Sequence, residues 1–306
     1  MAQAVKPIED RRLLGISLML CGYLCYTIID SCAKLLSASG LPTMEVVFVR
    51  YLGQFLLVMA IFAPRQGARA LIATRNWKLE AARGLCLLGS TIFNFIAITF
   101  LPLTVTSAIS FTMPLILCAL SIPLLGETVG WRRWAAIGVG FIGVLVIVRP
   151  GTEAFHPAVI LSLITAVFSA LYNLLTRKLA GVDSTITQQF WASAVATLCI
   201  APFSLGDWVW PSDPLTWTLF GGIGLAALIA HLLVTTAHRY APASTLAPFG
   251  YLHIFFMTGA SWFIFHQPPD VWIVVGAPIV IASGLYIWLR ERQLSKAVVT
   301  EVVVED

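Results

Sequence analysis

Apolar segments fill most of this chain, and short polar stretches separate them. A helix of about 20 apolar residues spans the hydrocarbon core of a bilayer. Windows of this length predict ten spans, at residues 13–36, 44–63, 82–101, 104–125, 131–149, 157–178, 186–205, 215–238, 243–266 and 270–289. The pattern therefore predicts an all-α polytopic membrane protein with ten transmembrane helices.

Two of these apolar segments are interrupted by proline. Residues 101–127 read LPLTVTSAISFTMPLILCALSIPLLGE, with Pro114 near the middle, and residues 240–266 read YAPASTLAPFGYLHIFFMTGASWFIFH, with Pro248 inside. A proline within a helix removes one backbone hydrogen bond, and in lipid the freed carbonyl needs a partner from protein or water. We therefore expect both segments to line an interior rather than face lipid.

The two broken segments correspond to each other in an internal repeat. Thr106 matches Thr245 at an offset of 139 residues, and Trp131 matches Trp272 at an offset of 141. Because each unit holds five spans, an odd number, the second unit enters the membrane from the opposite side. The predicted organisation is two inverted five-helix repeats at residues 13–150 and 157–290, followed by a loose cytoplasmic tail at residues 291–306. Inverted repeats with broken helices are typical of secondary transporters.

Positive charges predict the orientation, since Lys and Arg of short loops stay in the cytoplasm. One side collects Lys6, Arg11, Arg12, Arg65, Arg69, Arg75, Lys78, Arg132, Arg133, Arg177, Lys178, Arg239, Arg290, Arg292 and Lys296, whereas the other side has only Arg149. Both termini are therefore predicted to be cytoplasmic. The first apolar run is longer than 20 residues, contains Asp30 and Lys34 and has no clean cleavage motif, so we predict a retained span rather than a signal peptide.

Composition supports the membrane assignment. The 306 residues are 58% hydrophobic and 11% charged, whereas soluble domains carry about 25% charged residues. The formal net charge of +4 is explained by the loop cations, so no nucleic-acid partner is expected. All six cysteines fall in apolar runs without ligand spacing, which argues against a disulfide framework, a metal site or a cofactor. Motifs of the HExxH, GxSxG and P-loop types are missing from the sequence, so we do not expect an enzyme.

At this point the sequence resembles the drug/metabolite transporter superfamily, EamA type. The end of the first repeat carries the resemblance, with the stretch LPLTVTSAISFTMPLILCALSIPLLGETVGWRRWAAIGVGFIGVLVIVRPG, which extends in outline over residues 13 to 290. It implies a ten-helix carrier of small organic metabolites in the inner membrane, whose substrates include amino acids, nucleotide sugars, riboflavin, S-adenosylmethionine and drugs. FHQPP stands where a second LGE ending would be expected, so His266 faces Glu127 in the repeat and weakens a functional role for that carboxylate.

Charged residues within the first two spans are candidates for substrate contact. Asp30 lies in the outer half of the first span, Lys34 is one turn further out, and Arg50 comes to a similar depth in the second span. A charge inside the bilayer is costly and usually has a partner. The cluster either meets a charged or zwitterionic substrate, with Asp30 also able to carry a coupling proton, or forms a structural ion pair; Lys34 either pairs with Asp30 or snorkels to the interface.

Uncharged polar residues complete the predicted site. Candidates for substrate binding are Asn94, Ser110, Tyr172, Asn173, Tyr251 and His253, and His231 joins Asp30 as a candidate for proton coupling. Each has a structural alternative as an interhelical hydrogen bond or a neutral wall residue. Tyr251 and His253 are two residues apart and diverge by about 200° on a regular helix, so both face one cavity only if Pro248 distorts the turn.

The leading functional prediction is a secondary carrier that moves a small metabolite by alternating access. Phenylalanines near the broken spans suit an aromatic or heterocyclic cargo such as riboflavin or an aromatic amino acid, or else they pack against lipid and one another: Phe93, Phe95, Phe111, Phe249, Phe255 and Phe256. A lipid-modifying membrane enzyme and a passive pore are the alternatives. The sequence does not indicate an oligomeric state.

Overall fold

In the computed structural model of the protein, helices form all the regular structure of the described residues, which are 11–125, 130–152, 155–179, 182–206, 208–241 and 243–304. The helices are α1 Arg12–Ala38, α2 Thr43–Gln66, α3 Ala68–Ile72, α4 Trp77–Phe100, α5 Leu103–Ser110, α6 Met113–Leu125, α7 Trp131–Val148, α8 Val159–Leu179, α9 Thr185–Ser204, α10 Pro214–Tyr240, α11 Ala243–Leu246, α12 His253–Phe263 and α13 Val271–Val304. A 3₁₀ segment, Ala247–Leu252, joins α11 to α12.

The all-α membrane prediction is confirmed by these helices. Among the described residues, seven helical stretches are long and apolar enough to cross a bilayer, and Trp134–Val148 is a shorter apolar helix. The number ten stays a prediction, since α9 and the interrupted segment from α11 to α12 are not among the seven. The protein is a multi-pass membrane protein.

Both proline-containing segments are broken, as the sequence predicts. α5 ends at Ser110 and α6 begins at Met113, so Pro114 is the second residue of the new helix, where its missing N–H costs little. The Ser110 hydroxyl donates to the Thr106 carbonyl at 2.8 Å, and the Thr112 hydroxyl donates to the Ile109 carbonyl at 2.7 Å. Hydroxyl side chains thus donate to carbonyls on the N-terminal side of the break. The second broken segment has the 3₁₀ turns around Pro248.

Helices of the two predicted repeats pack in pairs. α1 packs along α10 and α4 along α8, while α2 meets α9, α5 meets α12, and α7 meets α13. α1 and α4 are parallel, because Asp30 lies beside Asn94 and Lys34 beside Leu101. We call the face of the bundle where α1 and α4 begin the N-side, and the face where they end the far side.

Lys34 has a different role from either that the sequence suggested. Its ammonium donates to the Leu101 carbonyl at 2.7 Å and to Gln267 Oε1 at 3.0 Å, and it lies 5.1 Å from the centre of the Phe265 ring. The residue is 8% exposed, so it neither pairs with Asp30 nor snorkels. It ties α1 to the connection between α4 and α5 and to the connection between α12 and α13, which closes part of the far side.

Three boundaries differ from the prediction. The third span begins at Trp77 rather than at residue 82, because Asn76 caps α4 by accepting from the Leu79 N–H at 3.2 Å. The segment between the second and third spans contains the short helix α3. α13 continues to Val304 and so runs through most of the predicted tail. Glu127 lies outside the described residues.

Candidate functional site

A cavity of about 510 Å³ lies inside the bundle, and both predicted repeats contribute to its lining. This volume is in the range of small-molecule binding sites. Of the residues predicted from the sequence, the cavity is lined by Asp30, Arg50, Asn94, Ser110, Tyr172, Asn173, His231 and His253. These eight residues come from α1, α2, α4, α5, α8, α10 and α12, and they line the same cavity.

Asp30 and Asn94 form a polar pair across α1 and α4. The Asn94 Nδ2 atom donates to Asp30 Oδ1 at 2.9 Å. The bond joins two helices, as the structural alternative for Asn94 expects, yet both residues also line the cavity. A carboxylate has room for several hydrogen bonds, so Asp30 keeps acceptor capacity for a cationic group of a ligand.

Arg50 is buried beside this pair without a carboxylate partner. Among the described residues no ion pair within 4.0 Å joins Arg50 to Asp30, so the structure does not favour the alternative of a structural ion pair between the first two helices. Its Nη1 atom donates to Thr91 Oγ1 at 3.2 Å, and its guanidinium lies 4.4 Å from the centre of the Tyr51 ring. The side chain is 5% exposed, and its Nε atom has no hydrogen-bond partner.

A second arginine, Arg83, lines the N-side part of the cavity. Its Nη2 atom donates to the Tyr172 hydroxyl at 2.8 Å, its Nε atom to Thr176 Oγ1 at 2.8 Å, and its Nη1 atom to the Gln188 carbonyl at 3.0 Å. The guanidinium also lies 4.6 Å from the centre of the Tyr172 ring. Tyr172, predicted as a substrate contact, thus holds Arg83 in place, and Arg83 joins α4 to α8 and α9.

Aromatic and imidazole rings form one wall of the cavity. The His253 ring stacks on Tyr23 with centroids 5.3 Å apart and an interplanar angle of 29°. His231 Nδ1 shares a hydrogen bond with the Tyr26 hydroxyl at 3.0 Å. The Nε2 atoms of both histidines are buried without a partner. This wall offers flat surfaces for a heterocycle and two free nitrogen atoms for hydrogen bonds.

Tyr251 does not line the cavity. Its ring packs against Phe111 at a centroid distance of 5.2 Å, and its hydroxyl lies against Gly284 of α13. Tyr251 belongs to the 3₁₀ segment and His253 begins α12, and only His253 lines the cavity. The distortion around Pro248 thus does not bring both side chains to the cavity, and the position of Tyr251 does not support its prediction as a substrate contact.

Only part of the predicted phenylalanine set lines the cavity. Phe95 and Phe111 do so. Phe93 instead stacks on Phe168 at 5.7 Å, and Phe255 is 69% exposed on the outside of the bundle. The rings that complete the cavity wall are tyrosines, Tyr23 and Tyr26, which sequence reasoning missed.

Arg83 is another lining residue that is not among the candidates predicted from the sequence. A signal was present on α4. Polar side chains at 83, 90, 91 and 94 recur at helical spacing and mark one face of an otherwise apolar helix. Ser110 and Asn173 also line the cavity. The Ser110 hydrogen bond is local, whereas Asn173 Nδ2 donates both to the Ser169 carbonyl at 2.8 Å and to Met113 Sδ at 4.0 Å.

Within the described residues, no group of three or more His, Cys, Asp and Glu side chains is placed to hold a metal ion. The site combines one carboxylate, two guanidinium groups, neutral hydrogen-bonding groups and aromatic rings. Such a site can bind an organic ion through charge and stacking.

Comparison with known proteins gives consistent matches over nearly the whole chain. The profile of the EamA-like transporter family matches residues 13–149 and 156–289. The S-adenosylmethionine uptake transporter of Rickettsia prowazekii is 28% identical over 280 residues, which cover 91% of this chain and 94% of the relative. The riboflavin transporter of Vibrio cholerae is 28% identical over 291 residues, covering 94% and 97%.

Two further matches extend this set. The pseudopaline exporter CntI of Pseudomonas aeruginosa is 26% identical over 270 residues, which cover 88% of this chain and 94% of the relative. A protein of known crystal structure aligns with a TM-score of 0.60 over 91% of this chain and 98% of its own, at 17% identity. That last likeness concerns the fold alone.

Proposed function

The chain belongs to the EamA-like transporter family, and we propose that it is a secondary transporter that carries a small organic metabolite by alternating access. Membership confirms the resemblance in the sequence, and the relatives are named as transporters rather than enzymes. The observation that carries the proposal is the 510 Å³ cavity that both halves of the chain line with charged and aromatic groups.

The helix pairing supports inverted repeats at residues 13–150 and 157–290. Under an exchange of the halves, span n takes the place of span n+5. The packing of α1 on α10 then becomes the packing of α8 on α4, and the pairs α2–α9, α5–α12 and α7–α13 map onto themselves. Two such halves have outward-open and inward-open arrangements of similar energy, which is the basis of alternating access.

We also propose that the N-side faces the cytoplasm of the inner membrane. The cations on this side support this orientation: Arg65 lies in the last turn of α2, Lys78 lies in the first turn of α4, and Arg69 and Arg75 lie between these two helices. The cavity lining reaches Thr185 and His238, which belong to the N-side ends of α9 and α10. On the far side, Lys34 joins the end of α4 to the connection between α12 and α13 through its bonds to Leu101 and Gln267.

The charges of the cavity favour a zwitterionic substrate with a flat ring. Arg50 suits a carboxylate, Asp30 suits an ammonium or sulfonium group, and the wall of Tyr23 and His253 suits a heterocycle. S-adenosylmethionine combines these three features, and relatives of 28% identity are named for its uptake. Riboflavin, one of the cargoes predicted from the sequence, matches the wall but has neither a carboxylate nor an ammonium group. An aromatic amino acid, the other predicted cargo, has both charges and a flat ring, so it competes with S-adenosylmethionine as the proposed substrate.

Uptake into proteoliposomes tests this function. With purified protein, we expect saturable uptake of radiolabelled S-adenosylmethionine, tested beside riboflavin and tryptophan, with and without a proton gradient. Protein-free liposomes are the control. Flux that rises linearly with concentration would indicate a pore, and chemical change of the probe would indicate an enzyme. If wild-type protein moves none of the three compounds, the proposed substrate class is wrong.

Arg50→Gln tests the carboxylate contact. Loss of a charge-assisted hydrogen bond of about 1.5–3 kcal/mol corresponds to roughly a 10- to 150-fold weaker apparent affinity. We expect this loss for a probe with a carboxylate and little change for its decarboxylated analogue, measured by competition in the uptake assay. Arg149→Gln is the matched control, since Arg149 pairs with Asp270 outside the cavity lining. Equal weakening for both probes would contradict the assignment.

A further inference from the structure

Glu80, near the start of α4, is a fully buried carboxyl group that the proposed transport site does not use. Its exposed fraction is 0%, and neither of its oxygens has a hydrogen-bond donor. The nearest cation is Arg83 on the same helix, whose Nη1 atom is 3.5 Å from Glu80 Oε2. The Arg83 guanidinium donates its shorter hydrogen bonds, of 2.8–3.0 Å, to Tyr172, Thr176 and Gln188 instead.

A second carboxyl group, Asp183, lies beside Glu80 in the turn before α9. The two are close enough for a hydrogen bond if one of them holds a proton. Asp183 also accepts from the Thr74 hydroxyl at 2.6 Å, so the shared proton belongs on Glu80, which has no other donor. Two carboxylates this close repel each other unless one is neutral.

The surroundings of Glu80 contain few other charges. Among the described residues, the charged groups that act on it are Arg83 on α4 and Asp183 before α9. The groups from α8 and α9 meet Arg83 and not Glu80: the Tyr172 hydroxyl and the uncharged backbone carbonyl of Gln188 both accept hydrogen bonds from the guanidinium.

From this arrangement we propose that Glu80 is a proton-binding site that couples protonation to the N-side of the cavity through Arg83. When the Glu80 O–H bond breaks, the proton passes to water on the N-side, and the carboxylate that remains attracts the Arg83 guanidinium. The ion pair competes with the Arg83 bonds to Tyr172, Thr176 and Gln188, which join α4 to α8 and α9. Protonation therefore holds the N-side ends of these helices together, and deprotonation loosens them.

This coupling deepens the proposed transport function, since it supplies the proton site of the same cavity. It also differs from the predicted coupling through Asp30 or His231, because Glu80 lies behind Arg83 and not in the cavity lining. A substrate anion that reaches Arg83 would compete with the Glu80 carboxylate, so anion and proton are expected to bind together.

Infrared difference spectroscopy of the purified full-length protein tests the proton without any substrate. Between acidic and alkaline buffer, we expect wild type to show the C=O band of a protonated carboxylic acid and Glu80→Gln to lack it. Glu45→Gln is the matched control, because Glu45 is equally buried but accepts from the Val209 N–H at 2.9 Å. A band unchanged by Glu80→Gln overturns the assignment whether or not the protein transports the tested metabolites.

A labelling experiment tests the coupling between Glu80 and the N-side, and a second variant serves if Glu80→Gln does not fold. A cysteine introduced by Thr185→Cys, at the N-side mouth of the cavity, is labelled with an impermeant maleimide and quantified by peptide mass. We expect labelling to rise about three- to tenfold from acidic to alkaline buffer, the ratio that corresponds to losing one or two hydrogen bonds, and to be flat with Glu80→Gln. A rise that persists with Glu80→Gln overturns the coupling. If Glu80→Gln does not fold, Asp183→Ala is used: it removes the acceptor of the shared proton and must move the C=O band to higher frequency.

Discussion

Asp30→Asn is expected to abolish transport, with at least about a 100-fold loss of uptake, while the amount of membrane-inserted protein stays unchanged. Loss of an interaction with a charged group costs about 1.5–3 kcal/mol on binding alone, which is roughly 10- to 150-fold, and loss of the charge from the translocation step adds to it. The negative charge disappears whether it meets a cationic part of the substrate or carries a coupling proton, so both roles fail together.

The structure explains why this substitution leaves the fold intact. Asn94 Nδ2 donates to Asp30 Oδ1 at 2.9 Å, and an amide oxygen at position 30 still accepts that bond. Inserted protein is quantified by membrane fractionation and by elution as a single species in size-exclusion chromatography, and uptake is measured in proteoliposomes of equal protein content.

Asp270→Asn is the matched control for charge. Asp270 pairs with Arg149 at 2.5 Å, its side chain is 43% exposed, and it does not line the cavity. Exposed ion pairs contribute little, so uptake should change by less than about twofold. Normal uptake with Asp30→Asn would remove Asp30 from the translocation machinery.

The fold was largely predictable because span positions depend on local properties of the chain. Length and apolarity gave helices within a few residues of α1, α2 and α8, and the prolines gave the break between α5 and α6. Boundaries failed where a polar side chain decides the end of a helix, as Asn76 does for α4. Composition does not reveal such a cap until its partner N–H is known.

The sequence predicted how deep in the membrane the site residues lie better than it predicted which groups they contact. A polar residue within a span has to face the interior, and this reasoning placed Asp30, Arg50 and Asn94 in one cavity. Which groups they meet depends on distant segments: Lys34 turns to Leu101 and Gln267, 67 and 233 residues away. A single sequence gives the angle and height of a side chain on its helix, but not the neighbour that three-dimensional packing supplies.

Arg83 illustrates the same limit from the other direction. Its position near the start of a span suggested a charge at the membrane surface, yet it is 2% exposed. α8 and α9 cover it with the Tyr172 hydroxyl, the Thr176 hydroxyl and the Gln188 carbonyl. These partners lie in the second half of the chain, so only the association of the two halves shows that this arginine is interior.

Gly224→Val is expected to reduce the yield of folded, monodisperse protein by at least about tenfold. α2 and α10 cross at Gly53 and Gly224, and a Cβ atom at 224 would lie 2.8 Å from Gly53 Cα and 2.9 Å from the Gln54 backbone nitrogen. All the nearest atoms belong to the backbone, so no flexible side chain can yield and the helices must separate. Small residues at such crossings permit close packing of membrane helices.

Separation at this crossing has consequences beyond the local overlap. Overpacking of a tight site costs about 1–3 kcal/mol even in well-tolerated cases, and here it also pulls Gln54 away from Gln189, whose amide oxygen accepts from Gln54 Nε2 at 3.2 Å. Gln54 is fully buried, so loss of this hydrogen bond leaves its amide without a partner. The packing of α9 on α2 is then disturbed together with the packing of α10 on α2. Two helices that cannot close on each other expose the Gln54 and Gln189 amides to lipid, which favours degradation or aggregation over a loosened fold.

Gly221→Val on the same helix is the matched control. It adds the same isopropyl side chain one turn earlier, where nothing lies within 4 Å of an added Cβ atom and the residue is exposed. Yield and thermal stability in detergent, measured side by side by size-exclusion chromatography, should differ between the two variants although their helix propensity and hydropathy change equally. Equal yields would show that α2 and α10 do not cross at Gly53 and Gly224, and the helix pairing that supports an inverted repeat would lose one of its contacts.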